Sequence, residues 1–353
     1  MRILQVIDSL GRGGAETLVV NIVKSLPQFE HFIISLSNVN EFKEEFKGHN
    51  NIKLFFLGSR SVKALPINII KLRRAIHTIR PDIIHSHLYW SNVIARLSSP
   101  KHIRFFFTNH SLQGQSLFKK KWLIVIEKLT YKKRHTLISV SKTVEEDYNK
   151  IIGIKGSHHI LLNMADDTFF KGPKKYDPYK KLCFINVGRL HYQKNQSFLL
   201  RSFQHLSHNI TLDVFGKGPL KTELEALQRQ LRLKNVHLKG TSQNLSSILF
   251  TYDALIMSSR YEGFSIVVLE AMASGLPVFL PDSPVFREMG GDAAVYIDLQ
   301  DEYSLKHKIE EMDNLVLTDL SLKSFERAIE VGKKEDYLKK LLNIYGITCG
   351  RFV

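Results

Sequence analysis

The sequence predicts an α/β protein of two doubly wound domains, each a parallel sheet covered by helices, facing one another across a cleft. Three observations lead there. The 353 residues are long for one hydrophobic core and comfortable for two. Short apolar runs alternate with helix-length segments, and strands apolar on both faces belong in buried parallel sheets. Near the middle, a polar stretch with Gly and Pro breaks the alternation, which then restarts.

In the first half, strands are expected at 2–7, 32–36, 53–56, 83–86, 104–108 and 136–140, with helices near 16–25, 67–79, 90–97 and 117–131. Residues 166–181, DDTFFKGPKKYDPYKK, read as a linker between a first domain of residues 1–165 and a second of residues 182–334. Further strands are expected at 182–187, 210–215, 236–238, 254–257 and 277–280. A last helix, about 335–353, would pack back on the first domain. Ligands of such sheets bind beyond the carboxyl ends of the strands, so the residues just after each strand are the ones to weigh.

A hydrophobic content of 44% with 24% charged residues is ordinary globular composition and speaks against disorder. Two cysteines, Cys183 and Cys349, make no disulfide framework and suit a reducing cytoplasm. The opening MRILQVIDSLGRGGAE lacks a signal-peptide cleavage site, and no run of about 18 apolar residues marks a membrane-crossing helix. A cytoplasmic protein is expected, soluble or peripheral on the inner face of the membrane. The formal charge of +16 attracts polyanions: nucleic acid, anionic lipid or a phosphate-bearing substrate.

The most informative segment is 258–278, SSRYEGFSIVVLEAMASGLPV. A strand ends before it, a loop carries Glu262 and Gly263, and Ser265 stands where it can cap the next helix. That helix, 266–273, is apolar around nearly its whole circumference, so it is buried, and Glu270 is its one charge. A buried carboxylate costs several kcal/mol, roughly, unless something pairs with it. Two ribose hydroxyls would satisfy Glu270; so would a structural Arg or a neighbouring loop. Arg189 and Lys194, following the strand that ends in Gly188, form an anion site at a helix start, or a solvated surface. Gly216 and Gly218 make a third glycine-containing turn at the same sheet edge.

Together these features resemble the retaining glycosyltransferases of family 4, with two Rossmann-like domains in the GT-B fold. The most specific element is Glu262, seven residues, then Glu270, continuing through Gly275 and Pro277. Gly13-Gly14-Ala15-Glu16, Pro81-Asp82 with His85 and His87, Thr108 with His110, and Val140-Ser141 match the first-domain pattern. The resemblance implies that Glu270 holds the donor ribose and that Glu262 lies by the transferred sugar. It also implies that Arg189 and Lys194 neutralise the leaving diphosphate. Gly14, Gly188, Gly216, Gly218, Gly263, Phe264 and Ser265 would complete the donor site. His110 would hydrogen-bond the reacting sugar, and Gly13, His85 and His87 would lie on the acceptor side. The chain has no Asp-x-Asp motif, so no metal and no cofactor are expected, and preorganised cations would stabilise the departing charge. The implied partners are a nucleotide-sugar donor and a saccharide or lipid-linked saccharide acceptor, in surface-polysaccharide assembly.

Two departures stand out. Asn163-Met-Ala-Asp166 lacks the family's glycine, and Pro284-Val-Phe-Arg-Glu288 replaces a Gly-Gly-x-x-Glu loop. That second change motivates the alternative of a catalytically inactive relative that binds nucleotide or glycan. His85 and His87 share one face of a strand end, but no carboxylate or Cys completes a metal site. Glu16 stands where a dinucleotide fingerprint needs Gly or Ala, which disfavours a nicotinamide enzyme. The basic-aromatic segment 118–134, FKKKWLIVIEKLTYKKR, suits either a helix on an anionic membrane surface or a core-facing helix with a solvated basic face. No recognition motif supports nucleic acid.

Overall fold

The computed structural model describes residues 1–59, 61–116, 120–177, 182–242 and 244–348. The chain divides into two compact units, Met1–Asn163 with the segment from Glu335 onward, and Met164–Lys334.

The first unit holds seven parallel strands: β1 (Arg2–Ile7), β2 (Glu30–Ser35), β3 (Ile52–Phe56), β4 (Ile83–His87), β5 (Arg104–Asn109), β6 (His135–Ser139) and β7 (His158–Ile160). Their order is β3-β2-β1-β4-β5-β6-β7, so the chain reverses its winding between β1 and β4. Its helices are α1 (Gly14–Ser25), α2 (Leu65–Ile79), α3 (Tyr89–Ser98), α4 (Gln113–Ser116), α5 (Lys121–Thr130) and α6 (Lys142–Ile151). Leu72 and Ile76 of α2, Val93 and Ile94 of α3, and Leu123 of α5 share one core with Leu4, Ile84 and Phe105 of the sheet. Valines 19, 20 and 23 of α1 pack with Ile7 and Ile33 in a separate core.

The second unit holds β8 (Leu182–Val187), β9 (Ile210–Phe215), β10 (Val236–Gly240), β11 (Ala254–Ile256), β12 (Val278–Pro281) and β13 (Ala294–Ile297), all parallel, in the order β10-β9-β8-β11-β12-β13. Its switch of winding lies between β8 and β11. The helices are α7 (Gln196–Gln204), α8 (Lys221–Gln230), α9 (Leu245–Leu249), α10 (Ile266–Ala273), α11 (Pro284–Gly290), α12 (Ser304–Glu310) and α13 (Asn314–Gly332), and α14 (Lys334–Ile344) returns to the first unit.

Three segments singled out in the sequence take a definite form. The stretch read as a linker packs against the second unit as far as it is described. Phe169 is buried, the Lys174 amide donates to Ser321 Oγ at 2.7 Å, and the Tyr176 hydroxyl donates to the Asp253 carbonyl at 2.6 Å. The changed segment at Pro284 opens a helix: proline suits the first helical turn, where its missing N–H is not needed, and Gly290 ends the helix with Gly291 as its C-cap. In the basic segment the helix starts only at Lys121; residues 117–119 lie outside the described residues, as do 178–181 of the linker and 349–353.

Candidate active site

In the second unit, the loops after β8 and β11 leave neighbouring strands at the switch point, the place where open parallel sheets bind ligands. The β8 loop carries Gly188, Arg189 and Lys194; the β11 loop carries Glu262. The two are joined directly, because Lys194 Nζ lies 2.5 Å from Glu262 Oε1 with both side chains mostly buried. Ser258 Oγ donates to the Lys194 carbonyl at 2.8 Å. Gln193 Nε2 donates to the Tyr261 carbonyl at 2.9 Å, and Arg260 donates to Asn195 Oδ1 at 2.7 Å. Asn195 has φ 54°, a left-handed conformation that asparagine tolerates better than most residues, and α7 starts from it.

The glycines of this edge serve close packing of the two loops. A Cβ on Gly188 would touch the Lys194 methylenes at 3.4 Å. A Cβ on Gly216 would run into the Gly188 carbonyl, and one on Gly218 into the Leu190 carbonyl. The Gly188 amide donates to Phe215 O at 2.9 Å and the Leu190 amide to Lys217 O at 3.0 Å. Gly216 and Gly218 therefore hold the β8 loop in shape. Arg189 is exposed at its tip, and no described residue engages its guanidinium.

Gly263, Phe264 and Ser265 are buried between Glu262 and α10. Contrary to expectation, the Ser265 side chain makes no cap hydrogen bond; the Val268 and Leu269 amides donate to the Ser265 carbonyl at 3.2 and 3.3 Å, which leaves the amides of Ile266 and Val267 as the donors of the α10 start. Glu270, on the second turn, is 8% exposed. Among the described residues no cation or hydrogen-bond donor meets its carboxylate, which removes the structural-Arg explanation. Burial, reinforced by the nearby Asp166, raises its pKa from 4.5 to about 8.

In the first unit, the switch edge presents Gly13, Gly14, His110 and the ends of β4. Gly13 is the extended residue before α1, with the Glu16 carboxylate folded against it. His110 is partly exposed and lines a pocket with Asp8, Tyr89, Trp90, Asn92 and Gln113. Of the residues expected on the acceptor side, His85 and His87 are both fully buried. His85 spans Tyr345 Oη at 2.6 Å and Thr108 Oγ1 at 2.7 Å. His87 spans Gln5 Oε1 at 2.9 Å and His110 Nε2 at 3.1 Å. Burial lowers the pKa of His85 and of His110 to about 3 and that of His87 well below 6.5. The imidazoles are therefore neutral, and the His87–His110 contact shares a single ring N–H. Gln5 and Tyr345, which orient this pair, carry no sequence signal, since their contacts span long separations. Asp166 beside Glu270 is likewise visible only in the fold.

Comparison with known proteins accords with this geometry. The model of the family described as Glycosyltransferase Family 4 matches residues 12–168, and that described as Glycosyl transferases group 1 matches residues 167–320. The glycosyltransferase EpsF of Bacillus subtilis is 28% identical over 311 residues, 80% of this chain and 79% of that protein. The N-acetylgalactosamine-N,N'-diacetylbacillosaminyl-diphospho-undecaprenol 4-alpha-N-acetylgalactosaminyltransferase of Campylobacter jejuni is 28% identical over 306 residues, 81% of this chain and 82% of that one. In fold, the chain resembles HepE of Anabaena, solved in complex with UDP, with a TM-score of 0.82 over 98% of this chain and 100% of that one at 16% identity. The chain belongs to the glycosyltransferases, with a family 4 first domain and a group 1 second domain in the GT-B fold.

Proposed function

We propose that the enzyme moves a sugar from a nucleotide-sugar donor to a saccharide or lipid-linked saccharide, with retention of anomeric configuration and without a metal, in surface-polysaccharide assembly. The observation that carries this reading is Glu270, a buried carboxylate beside the switch edge with no partner among the described residues. Two ribose hydroxyls would supply the hydrogen bonds it lacks. Arg189 and the amides of Ile266 and Val267 at the start of α10 would meet the diphosphate, and Lys194 would exchange Glu262 for a phosphate oxygen. Glu262, released, would lie by the transferred sugar, and His110 would accept or donate a hydrogen bond to a sugar hydroxyl. As charge builds on the leaving group, these fixed cations and dipoles stabilise it.

The relatives support the substrate classes: HepE is titled with UDP, and the Campylobacter enzyme is named for an acceptor on diphospho-undecaprenol. Segment 118–134 would rest on the anionic inner face of the cytoplasmic membrane, where such an acceptor resides. The test is a panel of UDP-, GDP- and ADP-sugars followed by melting, since a ligand at a hundred times its Kd stabilises by about 2.7 kcal/mol. Product anomeric configuration is then read by NMR, with and without chelator. A panel without one stabilising nucleotide sugar refutes the donor reading. An inverted product refutes retention, and activity lost to chelator and restored by a divalent ion refutes metal independence.

A further inference from the structure

A file of buried polar side chains crosses one face of the first sheet, from the segment that follows α14 to His110. Alternation along β4 puts His85 and His87 on the same face. Register sets Gln5 of β1 opposite His85 and Thr108 of β5 opposite His87. Gln5, His85 and His87 are closed to solvent and Thr108 nearly so. Tyr345, just after α14, covers them: its ring packs edge-on against His85 and tilted against Phe106, and Arg104 donates to its carbonyl at 2.5 Å. At the other end His110 is partly exposed and lines the pocket.

The hydrogen on each bond of the file can be assigned. A carbonyl oxygen only accepts, so Gln5 Oε1, 2.9 Å from His87 Nε2, requires the hydrogen on that nitrogen. Burial, with the neighbouring His85 and His110, holds the His87 pKa well below 6.5. A neutral imidazole has one N–H, so His87 Nδ1 is bare and accepts from His110 Nε2 at 3.1 Å. His110 is neutral too, because burial lowers its pKa to about 3. Its Nδ1 therefore carries a lone pair, and no described residue donates to it.

This order depends on which way the Gln5 amide lies. Gln5 Nε2 closes no hydrogen bond of ordinary geometry among the described residues. Burial raises the Tyr345 pKa, however, and the Gln5 side chain opposes that rise, as an N–H directed at the phenolic oxygen does. The Tyr345 O–H then turns to His85 Nδ1 at 2.6 Å, and His85 Nε2 donates to Thr108 Oγ1 at 2.7 Å. Turning the amide over would reverse the His87–His110 pair and put the hydrogen on His110 Nδ1.

We propose that Gln5 and Tyr345 are positioning residues that fix the Nε2–H tautomer of His110, so that His110 offers the reacting sugar an acceptor and never a donor. The proposal rests on the contact between His110 and the sugar given above, and it decides the direction of that contact. The sugar must present a donating group there, a hydroxyl or an amide N–H, which a fluorine cannot replace. With its one N–H spent on His87, His110 has no proton to give a leaving group. The segment after α14, far along the chain from His110, thereby sets the chemistry of the pocket.

The tautomer is read in the unliganded protein. Imidazole nitrogen NMR shifts separate a bare ring nitrogen from one bearing hydrogen, and the His110 signals are those missing from His110→Gln. In the wild type a bare Nδ1 and a protonated Nε2 are expected. Gln5→Met and Tyr345→Phe each release the constraint, and both His110 nitrogens should then move to intermediate shifts. In kinetics, replacing the sugar hydroxyl that faces His110 by fluorine should lower kcat/KM about three- to tenfold, the loss of one neutral hydrogen bond. That ratio should shrink in Gln5→Met, where part of the population donates instead. A hydrogen on His110 Nδ1 in the wild type overturns the proposal and leaves the transferase reading standing. So do His110 shifts unmoved in both variants, or fluorinated sugars that all keep full kcat/KM. Failure of every nucleotide sugar to bind refutes the donor reading instead and leaves the tautomer as measured.

Discussion

Replacing Glu270 by Gln keeps the side chain's shape and removes its ability to ionise. In the folded protein the carboxyl holds its proton to about pH 8, against an ordinary value of 4.5. Between those values the folded state binds one proton that the unfolded chain has released, so stability falls as pH rises through the window. Each unit of pH costs about 1.4 kcal/mol, which by pH 7 accumulates to about 3 kcal/mol. Gln carries none of this penalty. Glu270→Gln should therefore stabilise the unliganded protein at pH 7 by as much as about 3 kcal/mol, a rise of about 6–12 °C in Tm for a unit of this size. The gain should shrink toward zero as the pH is lowered to about 4.5.

The same substitution should weaken donor binding. Ribose hydroxyls that donate to the carboxylate favour its charged form, so binding expels a proton. Affinity in the wild type should then rise with pH from 6 to 8, and this dependence should vanish in Glu270→Gln. Differential scanning calorimetry across pH and isothermal titration with UDP measure both effects. A variant less stable than the wild type at pH 7 would mean that the carboxylate has a protein partner after all. Unchanged nucleotide affinity would remove Glu270 from the donor site.

Three further outcomes follow from named contacts. Lys194→Ala should lower kcat by about 10² to 10³, the loss typical when one preorganised charge donor is removed; steady-state kinetics with a matched donor checks it, and a change in KM alone would assign Lys194 to ground-state binding. Gly218→Ala should cost about 1–3 kcal/mol in a denaturant melt, because its Cβ meets the Leu190 carbonyl and the β8 loop must shift; an unchanged midpoint would show that the loop yields freely. Tyr345→Phe should cost about 1–3 kcal/mol by leaving His85 Nδ1 unpaired in a buried site, and calorimetry showing no loss would refute the anchoring of α14 through His85.

The strands were legible wherever they are fully buried, because a run such as that of β4 or β12 admits no solvent face. The edge strand β7 was not: His158–Ile160 is three residues long and exposed along its length, so no hydrophobic pattern marks it. The polar stretch after residue 166 looked like a tether because its partners lie far along the chain, Ser321 and Asp253 among them. His85 and His87 showed one shared face, as alternation requires, but not their burial. That burial depends on Tyr345, 260 residues away. Glu270 was legible for the opposite reason, since a lone charge on an apolar helix is a purely local signal.

Buried charges in this protein otherwise come with partners. Arg96 and Glu127 neutralise one another, with the Tyr148 hydroxyl donating to the same carboxylate oxygen at 2.6 Å. Asp253 accepts the Cys183 amide at 2.9 Å, and Glu262 holds Lys194. Glu270 differs from these at a place where the fold could have supplied a neutral residue at no cost to packing, since Leu269 and Ala271 flank it in the same helix. A protein under selection for stability alone would gain from that replacement. Under the proposed donor reading, the missing partner of the carboxylate arrives with a ligand, and the same switch edge presents the Arg189 guanidinium, which no described residue engages. On that proposal the destabilised residue and the unengaged guanidinium belong to one site, and its free-energy cost would be recovered on binding a molecule that bears both vicinal hydroxyls and a negative charge.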